Sequence, residues 1–199
     1  MPDGLVLGFD TSAAHCAAAV VSGGRVLAER LEPMAKGQAE RLMPLIEEVL
    51  AEAGVPLSDL TGIGVGIGPG NFTGIRISVA AARGLALSLG IPAVGVTVTE
   101  AAALDAPRPC RAVVAGRGNE VFWQDFDASG LLRQPAQAAA DTLPPGPPIT
   151  EPTLPTAVAI ARIAASRIAA GEPLPRPAPL YLRPADAAPP RDPAPVILP

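Results

Sequence analysis

The 199-residue chain has one histidine, two cysteines, one lysine and one tryptophan, and each scarcity closes off a class of chemistry. A single histidine, His15, cannot build a multi-histidine metal site, and no close group of cysteines or carboxylates replaces one. Cys16 and Cys110 are too few for a disulfide framework, and both sit among apolar neighbours as buried thiols do. Lys36 is the sole lysine, the arginines are scattered, and the net charge is −4, so the chain by itself lacks a sequence-independent grip on nucleic acid. No apolar run reaches the length of a membrane span. The N-terminus, MPDGLVLGFD, has no basic stretch ahead of its apolar segment, which predicts a protein that stays in the cytoplasm with no membrane partner.

What is present in quantity is apolar side chain, 49%, enough for a packed α/β core in one large domain or two small lobes. The most informative stretch is Gly62 to Pro92, GIGVGIGPGNFTGIRISVAAARGLALSLGIP. Ile63, Val65 and Ile67 alternate with glycines, as in a short strand lying close to other backbone. Gly68-Pro69-Gly70-Asn71 breaks it. From Gly74, the residues Ile75, Val79, Ala82, Ala86 and Leu89 recur every three or four positions and predict a helix, with Gly90 and Pro92 as stop signals. Asn71 or Thr73 supplies its cap. A glycine-rich turn feeding a helix start is a ready place for phosphate, but it carries neither the lysine of a P-loop nor GxGxxG. Two readings stay open: an anion cradle from Gly68, Gly70, Asn71, Thr73 and Gly74, or a tight turn that only permits close packing.

The chain opens with a strand at Leu5–Phe9, then Asp10-Thr11-Ser12, a second strand at Ala17–Val21, a turn at Ser22–Arg25 and a third strand at Val26–Leu31. Asp10, Thr11 and Ser12 could hold a hydrated Mg²⁺ with nucleotide phosphate, but the residues taken alone favour an Asx-type turn between strands. Residues 38 to 53 form a helix with Leu42, Leu45, Ile46, Val49 and Leu50 on one broad face; Pro44 must kink or divide it, and Gly54 ends it. Ala93–Val98 reads as a strand and 99–104 as a short helix. Of 25 prolines, 19 lie from Pro107 onward, so the division falls at 1–104 and 105–199, the second part being smaller and proline-rich. Within it, Ala112–Ala115 and Val121–Phe126 make a hairpin, 143–155 holds no central strand or helix, 156–171 is a helix, and the end is extended at 181–183 and otherwise mobile.

Taken together, DTS, AERLMP, GIGPGNFTGIRI, ARGLAL, EVFW and PLYLRPADA resemble one family over nearly the whole chain: the bacterial TsaB family, glycoprotease-like members of the actin/Hsp70-like ATPase superfamily. The resemblance implies a two-lobed actin/Hsp70-like (ribonuclease H-like) fold with a reduced second lobe. It implies a non-catalytic subunit that activates a catalytic paralogue, TsaD, in threonylcarbamoyl transfer to adenosine 37 of ANN-decoding tRNAs, with a TsaE-like ATPase joining and tRNA engaged through the complex. No cofactor is then bound tightly by this chain; ATP and a metal belong to the partner subunits. It places Arg41, Leu42, Leu45, Arg76, Ile77, Val79 and Ala80 at the partner surface, on helices 38–53 and 74–89, and makes Asp10, Thr11, Ser12 and the 68–74 loop a vestigial phosphate site. The same faces imply a homodimer when the chain is alone. Three departures stand out: Gln38 where the family often has histidine, Ala115 where aspartate often precedes the hairpin arginine, and a short 141–155 segment.

Two enzyme readings compete. A sugar or acyl kinase of the same fold would use Asp10 for Mg²⁺ and the 68–74 loop for phosphate, but needs an adenosine-binding segment and a catalytic acid that the short second part has little room for. A peptidase would need a nucleophile beside the one histidine, leaving only Cys16 or a nearby serine.

Overall fold

The computed structural model of the chain describes residues 4–128, 134–171 and 173–182. Five strands make the first sheet: β1 (Leu5–Asp10), β2 (His15–Ser22), β3 (Arg25–Pro33), β4 (Gly62–Gly66) and β5 (Ala93–Val96), in the spatial order β3-β2-β1-β4-β5. β1, β4 and β5 run parallel, while β2 and β3 fold back antiparallel through the Gly23-Gly24 turn. The parallel strands are joined through helices. α1 (Gln38–Ala53) leads towards β4 and α2 (Phe72–Leu89) connects β4 to β5.

The hydrophobic sequence is sorted to two faces by strand alternation. Leu7, Phe9, Ile63 and Val65 point to the side covered by α1 and α2, where Leu42, Leu45, Ile46, Ile75 and Val79 meet them. Val6, Ala17, Ala19, Val94 and Val96 point to the other side and meet α4 (Thr156–Ala170). Both faces are covered, as a sheet with parallel strands requires. α4 comes unusually near because the floor is glycine: a Cβ on Gly64 would lie 2.8 Å from the Ile160 carbonyl oxygen and 2.9 Å from the Ala164 methyl. Pro44 does not divide α1, which runs unbroken from Gln38.

After α3 (Val98–Ala102), capped by Thr97 with Glu100 returning its carboxylate, comes the second sheet. It contains β6 (Cys110–Ala115), β7 (Glu120–Phe126), β8 (Ala136–Ala139) and β9 (Ile149–Thr150), in the order β8-β7-β6-β9. The expected β6–β7 hairpin is present. β8 and β9 are additions to the sequence reading. β8 is AQAA, without the β-branched signal of a strand, and β9 is two residues on an edge, the position where a proline-flanked segment can pair. Arg111 is buried and grips Asp125 with both arms, at 2.5 and 2.8 Å, lies over Trp123 and donates to the Pro144 carbonyl, so one side chain fastens the proline-rich loop to the sheet.

The division expected at residue 104 needs correcting for one element. α4 belongs by packing to the first sheet, because its alanines fit the glycine floor. A buried polar chain also ties the two sheets. Thr99 donates to Gln124 at 2.5 Å, Thr97 meets Thr99 at 3.1 Å, and Glu100 pairs with Arg167 of α4 at 2.5 Å. Beyond α4, residues 173–182 cross back over the first sheet, with the Leu180 N–H donating to the Ile67 carbonyl at 2.8 Å. Tyr181 lies in that crossing segment, whereas Arg183 and the tail expected to be mobile lie outside the described residues.

Candidate functional site

The turn after β1 and the loop before α2 do come together, as the sequence reading required, but they close on each other. Asp10 is fully buried; its Oδ2 accepts from the Ser12 N–H (3.1 Å) and Ser12 hydroxyl (2.9 Å) and sits 2.7 Å from His15 Nε2. Its Oδ1 has no partner among the described residues and lies against Gly66. Thr11 donates its hydroxyl to the Gly74 carbonyl at 2.7 Å, and the Asn71 N–H donates to the Ser12 carbonyl at 2.6 Å. Asn71 Oδ1, in turn, accepts from the Thr73 and Gly74 N–H groups at 2.9 and 3.0 Å, so it is Asn71 and not Thr73 that caps α2. A methyl on Gly74 would collide with the Thr11 carbonyl.

The helix-start N–H groups that a phosphate would use are therefore taken by Asn71, and the space between Thr11, Ser12, Gly70 and Gly74 is filled by backbone. Gly68 is buried and Gly70 half-buried; Asn71 and Thr73 are the exposed members of the eight. In this arrangement the set does not fit a nucleotide phosphate with its cation. Among the described residues, no group of three or more His, Cys, Asp or Glu side chains stands close enough to hold a metal ion.

The expected partner surface divides in two. Leu42 (1% exposed), Leu45 (0%) and Val79 (2%) belong to the chain's own core and leave the surface set. Helical spacing finds apolar stripes without telling which one meets the sheet, and these three are the inner stripe. Arg41 is half-buried and fully engaged: it holds Glu32 at 2.6 and 2.7 Å and Glu48 at 2.7 Å, joining β3 to α1. Its hydrogen bonds hold both carboxyls below their ordinary value of 4.5. Arg76 and Ala80 are exposed and Ile77 is half-buried.

Around them stand residues the sequence reading missed. Leu87 is 83% exposed and Met43 39%, and Phe72 and Tyr181 stack with ring centroids 4.7 Å apart. The Arg76 guanidinium lies 3.8 Å above the Phe72 ring and its Nε donates to the Tyr181 hydroxyl at 2.9 Å, which pins the 173–182 segment on α2. The available signal was the lack of a polar side to α2. By length and composition alone this 18-residue helix, mean hydropathy 1.2, is apolar enough to cross a membrane, and 28% of it is buried. Here it packs on β4 and carries Arg76 and Arg83. The remaining apolar surface is an outer face without a cover in the described chain.

The model of the family described as TsaD: tRNA N6-adenosine threonylcarbamoyltransferase matches residues 26–169, well over half of the chain. Among solved structures, an uncharacterized protein with similarity to peptidase YeaZ from Pseudomonas aeruginosa is 27% identical, with a TM-score of 0.75 over 90% of this chain and 100% of that one. A structure of YeaZ from Pseudomonas aeruginosa is also 27% identical, with a TM-score of 0.72 over the same shares. No curated protein matches. The chain belongs to the tRNA N6-adenosine threonylcarbamoyltransferase family, and within it is a TsaB-like protein of the actin/Hsp70-like superfamily.

Proposed function

We propose that this chain is the non-catalytic subunit that binds and activates a TsaD-like paralogue in threonylcarbamoyl transfer to adenosine 37 of ANN-decoding tRNAs. The observation that carries the reading is the outer face of α2, where Ala80 and Leu87 stand in solvent on an apolar helix of which 28% is buried. The paralogue, a TsaE-like ATPase and tRNA meet this chain in a cytoplasmic complex, and ATP and the metal are held by the other subunits. The closed glycine loop and the single histidine of the sequence support that division of labour. When the paralogue is absent, the same face takes a second copy of the chain.

The kinase alternative finds no support in the geometry, since its two candidate loops fill each other. A peptidase reading meets the same difficulty. Ser12 donates to Asp10 instead of to His15, and Cys16 is buried with its thiol pushed up to about 11, chiefly by burial. The test is light scattering of the chain mixed with the purified TsaD-like paralogue. A one-to-one complex is expected, and Ala80→Asp abolishes it while leaving the thermal melt intact. Absence of any complex with the unaltered chain refutes the proposal.

A further inference from the structure

On the side of the first sheet away from α1 and α2, a pocket of about 250 Å³ opens between α4 and the turn that follows α3. Leu104, Asp105, Arg162, Ile163, Ser166 and Arg167 line it. Arg167 is already engaged, with Glu100 at 2.5 Å and the Gly95 carbonyl at 3.0 Å. Arg162 is not. Its Nε is buried without a hydrogen-bond partner among the described residues, and its Nη1 stands 3.9 Å from Asp105 Oδ2, too far for a hydrogen bond. Asp105 occupies the left-handed backbone region, at φ 62°, and in that turn its carboxylate faces Arg162 while its side chain stays 62% exposed. A base and an acid thus stand in one pocket, each short of a full partner. Ser166, one helical turn beyond Arg162, lies on the same face of α4 and adds an exposed hydroxyl. Leu104 and Ile163 are half-buried and supply the apolar wall.

We infer that this pocket binds a small zwitterion, an α-amino acid with a short aliphatic side chain. Its carboxylate takes the Nε and Nη2 edge of Arg162 as a bidentate pair and accepts from the Ser166 hydroxyl. Its ammonium meets Asp105, and its side chain lies on Leu104 and Ile163. Presenting Nε requires the Arg162 guanidinium, on a side chain 32% exposed, to turn within the pocket, which exchanges a donor without a partner for a charge-assisted bond. Charge decides against simpler ligands. Arg162 and Arg167 balance Asp105 and Glu100, so the wall has no net charge; a plain anion is repelled by Asp105 and a plain amine by Arg162. A molecule that carries both signs satisfies both groups. Size agrees, since 250 Å³ is the liquid volume of about eight waters, close to the number of non-hydrogen atoms in valine and below the range of pockets for larger ligands. The pocket shares no residue with the outer face of α2, so this inference and the proposed function stand or fall separately.

The test is calorimetric titration of the full chain with L-alanine, L-valine and L-leucine, and with isovalerate, isobutylamine and inorganic phosphate, each of which lacks one of the two charges. At least one of the amino acids is expected to bind saturably with a Kd of about 1 mM or tighter, and the three single-charge probes about tenfold or more weakly. Arg162→Ala should weaken amino-acid binding about tenfold or more. Asp105→Asn should weaken it too, while reducing or reversing the preference over isovalerate, a change of selectivity that a merely structural role would not produce. Asp105 is exposed and Arg162 a third exposed, so both variants are expected to fold, and thermal melts check that they do. No saturable binding of any of the three amino acids by the unaltered chain, at concentrations up to about ten times that Kd, overturns the inference. Binding that Arg162→Ala and Asp105→Asn leave unchanged also overturns it, because the site then lies elsewhere. Isovalerate or phosphate binding as tightly as the amino acids overturns the zwitterion and leaves a plain anion site.

Discussion

Gly74 and Gly84 lie in the same helix, and the same substitution is expected to act on them in opposite directions. At Gly84 an added methyl meets nothing within 4 Å, so Gly84→Ala gains only the conformational benefit of alanine in a helix, about 0.5–1 kcal/mol. At Gly74 the methyl would sit 2.9 Å from the Thr11 carbonyl carbon and nearer still to its oxygen, both main-chain atoms of a buried turn. Relief requires moving the whole turn, which breaks the Thr11 bond to the Gly74 carbonyl and the Asn71 bond to the Ser12 carbonyl. Overpacking of this kind costs about 1–3 kcal/mol, and the helix gain of about 0.5–1 kcal/mol offsets part of it, so a net loss of roughly 1 kcal/mol is expected. Urea unfolding of the two variants beside the unaltered chain measures both. If Gly74→Ala proves as stable as Gly84→Ala, the turn and the loop are not closed on each other in solution, and a phosphate cradle between them returns as a live possibility.

Three further outcomes follow from named contacts. Arg41 lowers the carboxyls of Glu32 and Glu48 in the folded chain, so its stabilisation is present above pH 4.5 and is lost as pH falls through their folded values. The Tm deficit of Arg41→Met should accordingly be largest near neutrality and shrink in acid; a deficit constant with pH would contradict this. Burial, reinforced by Glu32, pushes the Cys16 thiol up to about 11, so Cys16 should resist alkylation at pH 7 until the chain unfolds, and rapid labelling in the native state would count against its place in the core. Arg111→Ala strands Asp125 and unfastens the 143–148 loop, with an expected loss of about 3 kcal/mol and a change in the fluorescence of Trp123, the sole tryptophan. A loss under about 1 kcal/mol would mean that the pair is replaceable by water.

The first sheet was legible because its residues carry strong local signals. Leu5–Phe9 is a compact apolar run, Gly23-Gly24 an obvious turn, and residues 38–53 a periodic helix whose observed bounds are the expected ones. The second sheet was half legible. Its hairpin contains Val121, Phe122 and Trp123, whereas β8 is made of alanine and glutamine and becomes a strand only because β7 offers it a ladder. The expected partner surface was placed on α1 and α2, and three of its residues prove to face inward. Leu42 and Leu45 satisfy the same spacing as any apolar stripe, and only the position of the sheet shows that they face inward. Tyr181 could not have been placed against Arg76, 105 residues earlier, by any local pattern. The Asp10 turn and the 68–74 loop were found as a pair, but closure depends on the fit of Gly70 and Gly74 against backbone, which composition does not encode.

The central claim is that this chain acts through a partner. It is tested most directly by measuring threonylcarbamoyl transfer to tRNA by the TsaD-like paralogue with its ATPase, in the presence and absence of this chain. The account predicts no transfer above a no-protein blank by this chain alone, a low rate for the paralogue without it, and a rate that rises with added chain and saturates at one equivalent. Transfer by the isolated chain, or a paralogue rate indifferent to its addition, would contradict it.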